Sequence, residues 1–109
     1  MYLSNKNALK IDYIRQKIEE WKINSYVNSS EYFYLIASLI EAVPYVSNIA
    51  GTYGAYLKHW DKRSFKDLEL FDFDILDNKK DNLSFNQNAN DLVVSISGDI
   101  LYIDPPYNH

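Results

Sequence analysis

Residues 33–43 constrain this chain most. Phe33, Leu35, Ile36, Leu39, Ile40 and Val43 leave almost no side polar, so a helix here must be largely buried. Asn28 followed by Glu31 matches a capping box, in which each side chain satisfies the other residue's backbone N–H. That places the helix start near Asn28. Pro44 disfavours helical geometry at Val43 and marks the end. A second helix is expected before it. From about Asn7 to Tyr26, Ile11, Ile14, Ile18 and Trp21 recur at helical spacing, while Arg15, Lys17, Glu19, Glu20 and Lys22 mostly take the other faces. This is the pattern of an amphipathic helix, with Ser4 or Asn7 as its cap. Residues 24–30 are polar and turn-like.

Apolar residues make up 47% of the 109, enough for a core in one domain or part of one. Cysteine is absent, which removes disulfides, thiolate catalysis and cysteine-ligated zinc. His59 and His109 stand alone, so no metal site or hydrolytic triad is expected. No leader pattern follows Met1 and no apolar run is long enough to span a bilayer; the expected setting is the cytoplasm, without a membrane partner. The formal net charge of −4 gives no basic surplus of the kind that marks many free-standing nucleic-acid binders, so any DNA contact must come from a local patch. One exists: residues 58–66 hold Lys58, Lys62, Arg63 and Lys66, four of the eleven basic residues. Before it, Gly51 and Gly54 among tyrosines suggest a loop with close backbone approach.

The second half of the chain reads as short strands. Residues 68–76 alternate loosely, residues 83–85 form a brief apolar run, and residues 100–103 are β-rich and consistent with a buried strand. A short helix through Leu92, Val93, Val94 and Ile96 lies between them. The organisation expected is a helical region at about 7–66 and a strand and motif region at about 68–109.

The last run leads straight into Asp104-Pro105-Pro106-Tyr107. Proline fixes its own φ and pushes the residue before it toward extended geometry. Asp104 and Pro105 are therefore held extended, and the Asp104 carboxylate and Pro105 carbonyl can serve as paired acceptors with no proline N–H to compete. Tyr107 adds a flat face. Two acceptors and a ring suit an exocyclic amine on an aromatic base. Accepting both protons of adenine N6 favours a pyramidal nitrogen whose lone pair is free to attack a methyl group, a gain from positioning and directed electrostatics. The base must be extruded from the duplex to reach such a site.

The run from Ile103 to Asn108 resembles the catalytic motif of amino-methyltransferases that use S-adenosylmethionine. Residues 46–58 with Trp60-Asp61-Lys62-Arg63, and the earlier Ile11-Asp12-Tyr13-Ile14-Arg15, resemble the D12 class of adenine-specific DNA methyltransferases. The likeness covers nearly the whole chain. It implies an α/β fold, a fragment of a Rossmann-like S-adenosylmethionine-dependent methyltransferase with N-terminal helices, short strands and an incomplete sheet. It also implies methylation of adenine N6 in DNA, typically within a restriction–modification system. Asp104, Pro105, Pro106 and Tyr107 then form the catalytic motif, and Asn88 and Ala89 lie at the cofactor's adenine, with Asn88 where the class usually has an acidic residue. An asparagine oxygen can still accept a hydrogen bond, but it supplies no charge. Lys58, Lys62 and Arg63 are the candidate phosphate contacts on double-stranded DNA.

That class carries a glycine-rich cofactor loop upstream of its Asp-Pro-Pro-Tyr motif. Gly51, Gly54 and Gly98, the only three glycines, do not form such a loop. The resemblance thus implies a cofactor half before Met1 and further sheet after His109. The 109 residues alone are then expected to be inactive, and a complementary methyltransferase chain or a cognate restriction endonuclease is an implied partner. Two alternatives stay open at this level: an RNA base amino-methyltransferase sharing the tetrapeptide, and a non-catalytic interaction module or remnant that uses the apolar helix as a partner surface.

Overall fold

In the computed structural model, residues 2–51 and 54–105 are described. The chain divides into two compact units, Met1–Ile75 and Leu76–His109.

The first unit is helical. α1 spans Asn5–Ile23, and Ser4 in extended geometry caps it, its Oγ accepting from the Asn7 N–H at 3.3 Å. Ser4 thus takes the capping role, and Asn7 lies inside the helix, buried. α2 spans Ser29–Ala42 and opens on the expected capping box: the Glu31 N–H donates to Asn28 Oδ1 at 3.0 Å, and the Asn28 N–H donates to Glu31 Oε2 at 2.8 Å. α2 ends at Ala42, as the proline requires, but Val43 keeps right-handed helical geometry (φ −58°, ψ −42°). It does so because the chain tightens into a 3₁₀ turn over Val43–Val46 with Pro44 in its first positions, where a missing N–H is harmless.

Leu39, Ala42, Val46 and Leu68 form the centre of the core, with Leu3, Ile11, Ile14 and Val43 packed around them. Ile18 of α1 is buried as well. α2 is less enclosed than its composition suggests: Phe33 and Ile40 remain more than 60% exposed. The strip 66–73 crosses this unit without forming a strand, held by side chains instead of a ladder. Leu68 is fully buried and its N–H donates to Asn7 Oδ1 at 3.1 Å. Further along, Ser38 Oγ donates to the Phe71 carbonyl at 2.9 Å, the Phe73 N–H donates to the Tyr34 hydroxyl at 3.2 Å, and the rings of Tyr34 and Phe73 stack.

The second unit contains one short helix, α3, over Ala89–Val93, capped by Asn88. The Asn90 N–H donates to Asn88 Oδ1 at 2.9 Å.

The expectation of an α/β, Rossmann-like fold with an incomplete sheet is corrected. Among the described residues there is no strand; a single antiparallel bridge, Ile49 to Tyr56, is the only β pairing. Residues 68–76, 83–85 and 100–103 are irregular. The last of these is also not buried, with Ile100 91% and Tyr102 85% exposed. The cause is physical. β-propensity describes side chains that suit a pleated, half-buried surface, whereas a strand exists only where a neighbouring backbone completes its hydrogen-bond ladder. These runs have the side chains and, among the described residues, no neighbouring strand.

Candidate functional site

Residues 101–105 and α3 enclose a cleft of about 610 Å³ in the second unit. Leu92, Val93 and Ile96 give it an apolar wall, Ala89 lines it at the helix start, and Asp104 and Pro105 bring the polar groups. The wall exists because α3, begun by the Asn88 cap, turns Leu92 and Val93 to the same cleft as the run before the prolines. Asp104 is exposed, and among the described residues its carboxylate makes no hydrogen bond or ion pair. A flat apolar surface beside an unengaged carboxylate and a proline carbonyl is chemistry that can receive an aromatic amine. Pro106 and Tyr107 lie outside the described residues.

The two residues expected at the cofactor separate here. Ala89 lines the cleft, whereas Asn88 does not, and Asn88 Oδ1 accepts from the Asn90 N–H as a helix cap. S-adenosylmethionine carries an adenine, a ribose diol, a sulfonium and an amino-acid end. The cleft's apolar wall suits a planar ring, but none of its lining side chains carries a positive charge to meet the cofactor's carboxylate. These residues therefore do not by themselves fit the whole cofactor.

The basic segment belongs to the first unit. Lys58 and Lys62 are exposed and make no ion pair among the described residues. Arg63 differs from them. It is half-buried, its Nη2 donates to the Ile49 carbonyl, and its Nε lies 3.5 Å from Asp61 Oδ2 without a hydrogen bond. Its guanidinium thus ties the 3₁₀ turn Lys62–Phe65 to the loop before it. Asp61 caps that turn, its Oδ1 accepting from the Arg63 N–H at 2.9 Å. Gly51 adopts φ +89°, and a Cβ built there meets nothing within 4 Å. Glycine is required at this position for its backbone angle and not for close approach.

The sequence reading missed two residues that organise this segment. Asn7 Nδ2 donates to the carbonyls of Ser64 at 3.2 Å and Lys66 at 2.8 Å, while its Oδ1 holds Leu68. Asn48 Nδ2 donates to the Leu57 carbonyl at 3.0 Å, and its Oδ1 accepts from the Asp61 N–H at 3.0 Å. A signal for the first was present: Asn7 stands four residues before Ile11, on the buried face of α1, where an amide must find partners. For Asn48, flanked by Val46 and Ile49, the signal is weaker.

With this geometry in view, comparison with known proteins gives the class. The chain belongs to the D12 class N6 adenine-specific DNA methyltransferase family, whose pattern matches residues 1–109. It is 60% identical over 107 residues to the modification methylase StsI of Streptococcus sanguinis, covering 98% of this chain and 16% of that protein. To the type II methyltransferase M.FokI of Planomicrobium okeanokoites it is 55% identical over 108 residues, 99% of this chain and 17% of the relative. The type II methyltransferase M.NlaIII of Neisseria lactamica is 42% identical over 107 residues, 98% of this chain and 32% of the relative. The chain therefore spans about a sixth to a third of the length of these relatives. No solved structure matches. Members of a methyltransferase family use S-adenosylmethionine in general and, in this class, act on DNA. No helix among the described residues is long and apolar enough to cross a membrane.

Proposed function

We propose that this chain carries the base-binding part of an enzyme that transfers a methyl group from S-adenosylmethionine to adenine N6 in double-stranded DNA. The setting is a cytoplasmic restriction–modification system, with a cognate restriction endonuclease or a complementary methyltransferase chain as further partner. The observation that carries the reading is the cleft in which Asp104 and Pro105 stand free beside an apolar wall. In this reading the Asp104 carboxylate and the Pro105 carbonyl accept the two N6 protons of an extruded adenine. Tyr107 stacks on the base, and Pro105 and Pro106 hold the acceptors extended. The cofactor supplies the methyl group; this chain's contribution is to orient the amine and free its lone pair. Ala89 closes the cleft beside the bound ring, Asn88 starts the helix that forms the wall, and Lys58 and Lys62 contact phosphates. Arg63 contributes by holding the loop that carries them.

The test is a chimera in which this chain replaces the matching segment of the M.FokI methyltransferase, assayed for transfer from labelled S-adenosylmethionine to duplex DNA. Asp104→Ala is expected to lower transfer by ~10²–10³-fold, the range for removing one polar group that acts in a transition state. DNA affinity should be nearly unchanged. Transfer that persists at the parent rate would refute the assignment.

A further inference from the structure

Asn48 is 2% exposed, yet it lies at the root of a solvent-facing loop. Its four hydrogen-bonding groups all engage main chain. Its N–H donates to the Tyr2 carbonyl at 2.7 Å and its carbonyl accepts from the Leu57 N–H at 3.0 Å. Its side chain donates to the Leu57 carbonyl and accepts from the Asp61 N–H. Asn48 therefore grips Leu57 at both backbone groups and reaches four residues further to Asp61. Lys58 lies between those two anchors, and Lys62 follows the second directly. Beyond the grip, the Ala50 N–H donates to the Ala55 carbonyl at 3.4 Å and Ile49 bridges Tyr56, so the loop closes as a short antiparallel finger.

A lysine makes a better phosphate contact from a fixed backbone, because less conformational freedom is then lost on binding. We propose that Asn48 is a positioning residue for DNA binding, fixing the backbone from which Lys58 and Lys62 reach phosphates. This rests on the reading of those two lysines as DNA contacts. Asn7 is the natural comparison. It is buried to the same degree and binds the backbone of Ser64, Lys66 and Leu68, but it does not flank Lys58.

Two measurements on the full chain test the proposal. The first is amide hydrogen exchange by NMR. In Asn48→Ala the Asp61 amide should exchange several-fold faster, while the Leu68 amide, held by Asn7, keeps its protection. The second is binding to a labelled duplex across a salt series. Lys58→Ala should reduce the salt slope by about one, the signature of one lost phosphate contact. Asn48→Ala should weaken binding too, and in the double variant the loss should be clearly less than the sum of the two single losses, because the share of Asn48 that acts through Lys58 is already gone. Non-additivity of that kind marks residues acting through each other. Asn7→Ala combined with Lys58→Ala should be additive, which separates positioning from general loss of stability.

An Asp61 amide still protected in Asn48→Ala, or additive losses for Asn48 and Lys58, would overturn the proposal while leaving the lysines as DNA contacts. If neither Lys58→Ala nor Lys62→Ala alters affinity or salt slope, the DNA reading of the segment itself fails, and the positioning role with it.

Discussion

Glu19 joins the two long helices through a few polar atoms. Its Oε2 accepts from Arg15 Nη1 at 2.7 Å, one turn back on α1, and from the Tyr32 hydroxyl of α2 at 3.0 Å. The hydrogen bond from Arg15 and then that from Tyr32 hold its carboxyl below the ordinary glutamate range. The lowered value has a definite sign in the pH dependence of stability. The carboxylate contributes stability above the unfolded-state value near 4.5, and that contribution is lost as pH falls through the lower folded-state value. Asp67, beside Lys6, and Asp77, beside Lys79, are lowered in the same direction. The urea midpoint of the chain should therefore begin to drop below about pH 5 and keep falling as pH passes through the lowered folded-state values. Glu19→Gln should flatten part of that drop while leaving the midpoint at pH 7 only slightly reduced, because exposed pairs contribute little. An unchanged pH profile in Glu19→Gln would show that the Arg15–Glu19–Tyr32 link does not operate in solution.

At the scale of elements, α2 depends on the reciprocal bonds between Asn28 and Glu31. Asn28→Ala removes the side-chain acceptor and should cost about 1 kcal/mol, within the ~0.5–2 kcal/mol seen for lost N-caps, read as a lower urea midpoint at constant m-value. A change within error would mean that the first turn of α2 is satisfied by water at no loss. This cap was legible in the sequence because it is local: the partners are three residues apart and their chemistry is nearly unique to a helix start. The spacing of Ile11, Ile14 and Ile18, and the stop at Pro44, were legible for the same reason. The expected strands were not recovered, because strand pairing is a relation to distant backbone that a short apolar run does not encode. The run before Asp104 illustrates this, with side chains suited to a sheet and no ladder beside them among the described residues. The candidate site divides in the same way. Asp104-Pro105 announced itself as a motif, and the structure places both on a cleft. The roles of Arg63, Asn7 and Asn48 depend on side-chain bonds that reach 14, 61 and 13 positions along the chain, which no local pattern carries.

On the scale of the whole molecule, the two units are protected very unequally. Met1–Ile75 has a buried centre and a network of side-chain to backbone bonds, whereas in the unit Leu76–His109 every described residue but Leu92 is exposed. That second unit is also shorter than the ~40 residues below which a core seldom sustains itself without cross-links, metals or a partner. Local opening follows the number of buried contacts, so proteolysis should report the difference. Lys79 and Lys80 lie in an irregular polar stretch, and the Lys79 side chain is 84% exposed. Lys58, Lys62 and Lys66 are exposed too, but the backbone that carries them is bonded to Asn48, Asn7 and Arg63. Cleavage requires the backbone to leave its native path, so exposure of the side chain alone does not make these bonds susceptible. Trypsin at limiting dose should therefore cut first after Lys79 or Lys80, seen by mass spectrometry as a product retaining Met1–Ile75 intact, with cuts after Lys58 and Lys62 appearing later. Duplex DNA should delay those later cuts further and leave the first ones unchanged, since the proposed phosphate contacts lie on the basic loop and none is proposed at Lys79 or Lys80. Early cleavage after Lys58 or Lys62 would mean that the buried asparagines do not hold the loop. Equal protection of all sites by DNA would mean that phosphate contacts extend to Lys79 and Lys80 and are not confined to the basic loop.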